Sequence, residues 1–468
     1  MRKAFWTYLV SGVAVFMVSM DNLIVTNALP VIRTELGTGL EGLEWTVNAY
    51  TLTFAVFLLT GAALGDRFGR RRMLGIGLLV FTAASAAAAL APDIETLIAA
   101  RAVQGLGGAM VMPLTLTLLA SVTAPEKRGV ALGIWGAMAG LGVALGPVIG
   151  GAITEGASWQ WIFWINVPVG ILLLPVVALV RESTGGAGKL DPIGVLLATA
   201  GLFGVTFGLV RGNGHGWTSP QVLTALIAGG VLVVAFVAWQ ARARNPMVPL
   251  ELFRDRGFSV VNGVALVMAF GMFGSVFLGA QYMQTVLGYS PLEAGVRTLP
   301  WTAVPAVAAP IAGLLMDRVG ARRIVAVALA LQAIGIGWLA AQSTVDATYP
   351  SLVPPFVIAG LGMGLFFAPM ARLTLGFAPR HLEGVASGTS NALRQLGTVL
   401  GVAVLGSIFS AYGGFGTAAS FVDGLTPAMW VGAIVLAFGA GLVLLAPRHI
   451  TAPAPQSTVE PELATAAA

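Results

Sequence analysis

Leu64, Gly65, Asp66, Arg67, Phe68, Gly69, Arg70, Arg71, Arg72 separates two long apolar runs. Leu315, Met316, Asp317, Arg318, Val319, Gly320, Ala321, Arg322, Arg323 repeats that pattern at an offset of 317 − 66 = 251. Further on, Gly105, Leu106, Gly107 matches Gly360, Leu361, Gly362. Gly129, Val130, Ala131, Gly133 matches Gly384, Val385, Ala386, Gly388, and Gly142 and Gly146 match Gly397 and Gly401, all at an offset of 255. A constant offset over three stretches, with an Asp-Arg-x-Gly junction ahead of them, points to a duplication.

What is duplicated follows from composition. Of the 468 residues 57% are hydrophobic and 10% charged, against roughly 25% charged in soluble domains. That excludes an ordinary soluble protein. Crossing ~30 Å of hydrocarbon takes about 20 mostly apolar residues in a helix. Cutting at charge clusters and turn signals leaves fourteen segments, at about 5–28, 45–65, 73–91, 94–120, 129–152, 161–180, 192–211, 220–239, 258–279, 293–316, 323–341, 352–372, 385–412 and 425–446. The repeats relate spans 2, 4 and 5 to spans 10, 12 and 13, a shift of eight. The expected fold is therefore all-α and membrane-embedded, with fourteen transmembrane helices. It comprises an N-terminal six-helix half (1–180), two inserted helices with their linkers (181–257), a C-terminal six-helix half (258–446) and a disordered, Ala/Pro/Thr-rich tail (447–468). Two six-helix halves about a central site is a transporter plan.

The basic residues are sorted by side. Twenty, from Arg2 and Lys3 through Arg67, Arg70 to Arg72, Arg318, Arg322 and Arg323 to Arg448, fall at the termini and even-numbered junctions, against Arg33 alone in the opposite loops. The positive-inside rule then expects both termini in the cytoplasm of a cell with a multi-pass plasma-membrane protein. The pI near 9.9 is a topology signal, and no nucleic-acid partner is expected. No cysteine is present, so thiolate metal sites, disulfides and a Cys nucleophile are excluded. Gly185 to Leu190 lacks the spacing of a phosphate-binding loop, and His215, His381 and His449 form no cluster. No enzyme activity and no cofactor are expected, and metal ligands are expected to be absent.

Asp21 lies ~24 Å into span 1 and Arg101 ~10 Å into span 4 from the other end, so the two reach a similar depth and can meet. A carboxylate there needs a cavity or a partner, and desolvation favours its neutral form, as a proton carrier requires. Arg101 is expected to hold Asp21 ionised in one conformation and to leave it in the other. The alternative is a locked structural pair. Arg101, Gly105, Gly108 and Met112 share a face along which another helix could slide. Gly142, Gly146 and Gly150, with Gly151 and the kinking Pro147, read as a tight helix contact that seals against proton leak. Asp66, Arg67, Gly69 and Arg70, with Asp317 and Arg318 as a weaker counterpart, read either as an anchor that sets topology or as a latch on the cytoplasmic side that breaks as the halves rock. Glu293 and Arg297 at i, i+4 can satisfy each other. Met17, Met20, Asn48, Gln104, Met112, Gln281, Gln284 and Arg394 are the candidate cavity residues, with Phe270, Met272 and Phe273 among other apolar possibilities.

These residues carry a resemblance. The chain is similar over nearly its full length to the major facilitator superfamily, in its fourteen-span drug:proton antiporter branch. The resemblance rests on Asp21 within Met20 to Pro30, on Trp45 to Tyr50, and on the Asp66 to Arg72 junction. It rests also on Arg101 with Gln104 and Gly105, on Gly142 to Gly151, and on Trp159, Trp161, Phe163, Asn166 and Pro168 opening span 6. Ala62 stands where the junction pattern usually has Gly, and Gln160 where an Arg is common. The resemblance implies a monomeric proton-coupled exporter of lipophilic small molecules working by alternating access. A dedicated exporter of one metabolite or antibiotic, or a proton symporter, is the nearest alternative, and a membrane-embedded enzyme or sensor a remote one.

Overall fold

In hydrocarbon every backbone N–H and C=O must be bonded within the chain, so a sequence this apolar resolves into helices. The computed structural model describes residues 2–124, 128–185, 190–379 and 382–447, and among them no strand occurs. The first helices are α1 (Arg2–Glu35), α2 (Leu40–Phe68), α3 (Arg70–Ala89), α4 (Ile94–Val122) and α5 (Arg128–Gly156), followed by the short α6 (Trp161–Trp164) and α7 (Asn166–Val177). Two helices, α8 (Pro192–His215) and α9 (Pro220–Gln240), pack on each other. Then come α10 (Arg256–Thr285), α11 (Pro291–Arg297), α12 (Leu299–Thr302), α13 (Val304–Val319), α14 (Ala321–Gln342), α15 (Tyr349–Gly376), α16 (Glu383–Tyr412) and α17 (Ala418–Leu442).

Among the described residues thirteen helices are long and apolar enough to cross a membrane, and the apolar helix at Trp161–Val177 is shorter. That is the position of the expected sixth span, which breaks at Ile165 because Pro168 has no N–H to give the Trp164 carbonyl. The tenth expected span breaks twice for the same reason, at Pro300 and Pro305, leaving α11, α12 and α13. Span 1 runs further than its charge pattern suggests, through Pro30 to Glu35. Residues 448–468, read from composition as a disordered tail, and Lys127, Lys189, Arg380 and His381 lie outside the described residues.

The repeated junction builds the same turn twice. Gly69 (φ 105°, ψ 124°) and Gly320 (φ 89°, ψ 135°) each end one helix and begin the next in a conformation that a side chain would strain. Neighbour relations recur as well: α1 with α5, α2 with α4, α3 with α4 and α3 with α7 have counterparts in α10 with α16, α13 with α15, α14 with α15 and α14 with α17. The set α1–α7 meets α10–α17 along two seams, α2 against α16 and α5 against α11–α13. Helix α8 lies against both α2 and α16.

Candidate functional site

Asp21, from α1, has no solvent exposure and sits where α1, α3, α4 and α7 converge. NH1 of Arg101 donates to its Oδ2 at 2.5 Å. Nε2 of Gln104 and Nδ2 of Asn166 both donate to its Oδ1, at 2.8 and 3.0 Å. Ser85 Oγ accepts from the same two amides and donates to the Phe163 carbonyl beside the break between α6 and α7. Arg101 spends its other bonds on Gln104 Oε1 (2.7 Å) and the Thr46 carbonyl (3.2 Å), and its guanidinium lies 4.3 Å from the centre of the Tyr50 ring. Arg101 and Gln104 act together because i and i+3 share a helix face. An ion pair so fully desolvated is held by its geometry. Deleting one partner leaves an uncompensated buried charge, at about 3–5 kcal/mol.

The glycine face of α4 serves this pair differently from a sliding surface. A Cβ on Gly108 would meet the Tyr50 hydroxyl at 3.0 Å and the Phe54 ring at 3.2 Å, and one on Gly105 would meet Thr53 and the Tyr50 backbone. The missing side chains seat Tyr50, which covers Arg101. Sequence reasoning missed Ser85 and Tyr50 as members of this network and knew Asn166 only as part of the span 6 pattern. The available signal was slight: one hydroxyl in the Ala83 to Ala89 run, and one amide among apolar residues.

A second cluster lies at the end opposite the arginine-rich junctions. Gly142, Gly146 and Gly150 face α1. A Cβ on Gly142 would come 2.7 Å from the Phe16 carbonyl, and one on Gly150 2.8 Å from that of Ile24. Gly151 faces the other set of helices, against Pro291 and Leu292, while Gly295 of α11 faces Pro147 and Val148 in return. Across this crossing Asn27 Nδ2 donates to the carbonyls of Pro147 (3.0 Å) and Pro291 (2.8 Å), and Gln284 Nε2 donates to the Asn27 carbonyl at 2.7 Å. Glu155 accepts from the Leu292 amide at 3.1 Å. The helices are thus interlocked on small residues and tied by side chains from both sets.

Just inside this seam is a narrow, largely apolar cavity between the sets, lined by Leu23, Thr26, Asn27, Val143 and Pro147 on one side and Met272, Phe273, Trp301, Phe356 and Met363 on the other. No charged side chain lines it. Of the apolar possibilities, Met272 and Phe273 are there. None of the eight candidate cavity residues is. Met17 and Met20 are packed in helix cores, Met112 packs against one, and Asn48 is fully buried. Gln104 belongs to the Asp21 network, Gln281 is buried with its amide on the Phe277 carbonyl, and Gln284 is spent on Asn27. Arg394 donates to Asn391 at 2.8 Å and lies 5.8 Å from the Phe367 ring. Facing depends on helix rotation, which the spacing of Met and amide residues did not fix.

At the arginine-rich junctions Asp66 pairs with Arg70 at 2.8 Å, and its carbonyl accepts from Gly185. Arg67 lies over the Phe68 ring. Asp317 pairs with Arg372 of α15 at 2.5 Å, instead of with its neighbour Arg318. Glu293 and Arg297 pair at 3.5 Å, and Glu293 also closes a capping box with Ser290. Among the described residues no ion pair joins α1–α7 to α10–α17.

Paired repeats of membrane-crossing helices, a buried ion pair and an inter-repeat cavity define a multi-pass transporter. The family model described as Major Facilitator Superfamily matches residues 12–281 and 263–467, and the chain belongs to that superfamily. It is 34% identical over 415 residues to a "Multidrug resistance protein Stp" of Mycobacterium tuberculosis (88% of this chain, 77% of the relative). It is 35% identical over 459 residues to the "Puromycin resistance protein pur8" of Streptomyces alboniger (95% and 90%). Among solved structures, the xylose transporter XylE from E. coli aligns at a TM-score of 0.64 with 14% identity, covering 95% of this chain and 98% of that one.

Proposed function

We propose that the protein exports lipophilic small molecules in exchange for protons, by rocking of two six-helix halves, 1–180 and 258–446, about the cavity between them. The observation that carries this reading is the solvent-free Asp21–Arg101 pair two residues along α1 from Leu23, which lines that cavity. Counting the broken helix at Trp161–Val177 gives fourteen spans, with residues 181–257 as the insertion. The arginine-rich end is the cytoplasmic one, as the positive-inside rule requires, with both termini there and the chain in the cell membrane as a monomer. The Asn27 clamp then seals the outer end, while Ile134, in the inner half of α5, and Leu314, in the inner half of α13, are exposed. This is the inward-open state, with Asp21 ionised on Arg101 after its proton has left.

The cycle follows from that state. Substrate enters an apolar cavity whose polar side chains are Asn27, threonines and the indole N–H of Trp301, which suits neutral or singly charged lipophiles. The relatives' names, drug and antibiotic resistance proteins, support the same class. When the outer seam opens, water reaches Asp21, a proton displaces Arg101 from it, and the neutral acid lets the halves close again. Protonation is thereby tied to conformation, and a proton entering down 100 mV contributes about 2.3 kcal/mol. Asp66–Arg70 and Asp317–Arg372 shape the junctions over which the inner ends swing. The test uses everted vesicles and a panel of fluorescent lipophiles. Uptake driven by an acid interior and abolished by a protonophore supports antiport, and accumulation in the reverse direction under the same gradient overturns it. A single accepted compound across the panel would replace the broad exporter with a dedicated one.

A further inference from the structure

The outer end of the second seam, α2 against α16, holds a carboxylate that the cycle above does not use. Glu44, in the second turn of α2, is 2% exposed, and its Oε1 has no hydrogen-bond partner. It points at Gly406 of α16, where an added Cβ would land on the carboxyl group. Around it the charges are committed elsewhere. Glu41, one turn earlier, pairs with Arg211 of α8 at 2.6 Å. Arg101, arriving from α4, is spent on Asp21, Gln104 and the Thr46 carbonyl. Helix α16 brings no charge nearer than Arg394, three turns away, and on α4 Glu95 is exposed, as is His215 on α8. Asn48, a turn further along α2, is likewise buried with neither amide atom bonded. Helix α8 closes over this seam: Asn213 donates to the Ser407 carbonyl, and Ser407 Oγ donates to that of Leu209 at 2.7 Å.

A carboxylate cannot stay ionised in such a place, because an unpaired buried charge costs far more than neutralising it. Resting on the alternating-access reading above, we propose that Glu44 is a second proton-binding site, which takes a proton from the outer solution as α2 and α16 close and returns it to the same side when they part. In the open state water solvates the carboxylate; on closure one outer proton adds to it and the neutral acid is buried against Gly406. No net proton crosses the membrane by this route. Its effect is that outer acid favours closure and outer alkali favours opening. The Glu41–Arg211 and Asn213–Ser407 contacts give the inserted helix α8 a part in the same gate.

The intact 468-residue chain, which has no cysteine, supplies the test. In difference infrared spectra the carboxylic-acid stretch is expected in the parent and in Asp21→Asn, and to be lost in Glu44→Gln. With Ser407→Cys in proteoliposomes, maleimide labelling from outside reports opening of the α8–α16 contact. Labelling is referred to Glu44→Gln, which carries the thiol's own rise in reactivity as thiolate forms; relative to it, the rate in the parent is expected to rise with outer pH by up to about tenfold per pH unit, the limit for one proton. Glu44→Asp, which keeps a carboxyl, is expected to retain the response with a shifted midpoint. An infrared band unchanged in Glu44→Gln, a labelling profile the same in Glu44→Gln as in the parent, or a Glu44→Asp profile the same as that of Glu44→Gln overturns the proposal. Neither readout needs substrate, so a failure of drug–proton exchange would remove the transport reading and leave this one to be judged separately.

Discussion

Arg101 and Asp21 form a 2.5 Å ion pair in which neither side chain reaches solvent, and each carboxylate oxygen of Asp21 is occupied. Coulombic attraction is strong in such a place, but so is the desolvation cost, and the two are close to balance. The pair is therefore stable only while both members keep their charge. That makes it sensitive to one proton, and four expectations follow from the way it and its neighbours are built.

Removing one member should cost more than removing both. Arg101→Ala is expected to lower stability by about 3–5 kcal/mol, because Asp21 is left buried and unpaired, and the Asp21→Asn, Arg101→Ala double variant to recover a substantial part of that loss. Thermal unfolding in detergent of the two single variants and the double variant measures the coupling. Additive losses would contradict a mutually dependent pair.

Asn166 and Ser85 should behave as supports of Asp21. Asn166→Ala and Ser85→Ala each remove a bond in a buried network and are expected to cost about 1–3 kcal/mol. Asn166→Ala, which takes a donor directly from Asp21, should also shift the pH dependence of exchange, whereas Ser85→Ala should shift it less. pH profiles of transport in vesicles compare them.

The glycines of α5 should divide by what they face. A methyl at Gly151 would press on the backbone of Pro291 and Leu292, with Leu292 Cα at 2.7 Å, while one at Gly140 meets nothing within 4 Å. Gly151→Ala is expected to pry open the outer seam and raise proton leak in substrate-free proteoliposomes. Gly140→Ala should leave leak unchanged and gain up to about 1 kcal/mol of helix stability. Equal leak in the two variants would detach the seal from the α5–α11 crossing.

Asp191 offers a control away from the coupling site. Burial pushes its carboxyl up, yet the Gly194 amide (2.8 Å), Trp239 Nε1 (2.8 Å) and Gln240 Nε2 (2.7 Å) donate to it and hold it below the usual carboxylate range. A lowered value in the folded state means that its stabilisation is full above the ordinary carboxylate range and fades as pH falls through and below it. Asp191→Ala is expected to cost about 1–2 kcal/mol at neutral pH, as a lost helix N-cap. The difference from the parent should shrink in acid, with exchange retained. Melting curves at neutral and acid pH test it.

Much of this was legible in the residues, for reasons that differ by feature. The repeated Asp-Arg-x-Gly junction marked two matching turns because one backbone turn, with Gly69 and Gly320 at positive φ, needs those residues twice. Asp21 and Arg101 stood out because deep charge is costly and therefore rare, and depth along a helix follows from rise per residue. The cavity was not legible: whether Met17 or Met272 faces it depends on helix rotation, set by the sum of many apolar contacts. The ion pairs at the arginine-rich junctions were half legible, since Asp66 meets Arg70 four residues on, but Asp317 reaches Arg372 across 55 positions of sequence that no local pattern connects.

The central claim is that Asp21 carries the proton that substrate exchange moves. Purified protein in weakly buffered detergent is titrated with a transported lipophile while the pH of the solution is recorded, at a starting pH where part of the population is protonated. The account predicts proton release on substrate addition by the parent, none by Asp21→Asn, and retained release by Glu44→Gln. Release from Asp21→Asn equal to that of the parent, with substrate still bound, would contradict it.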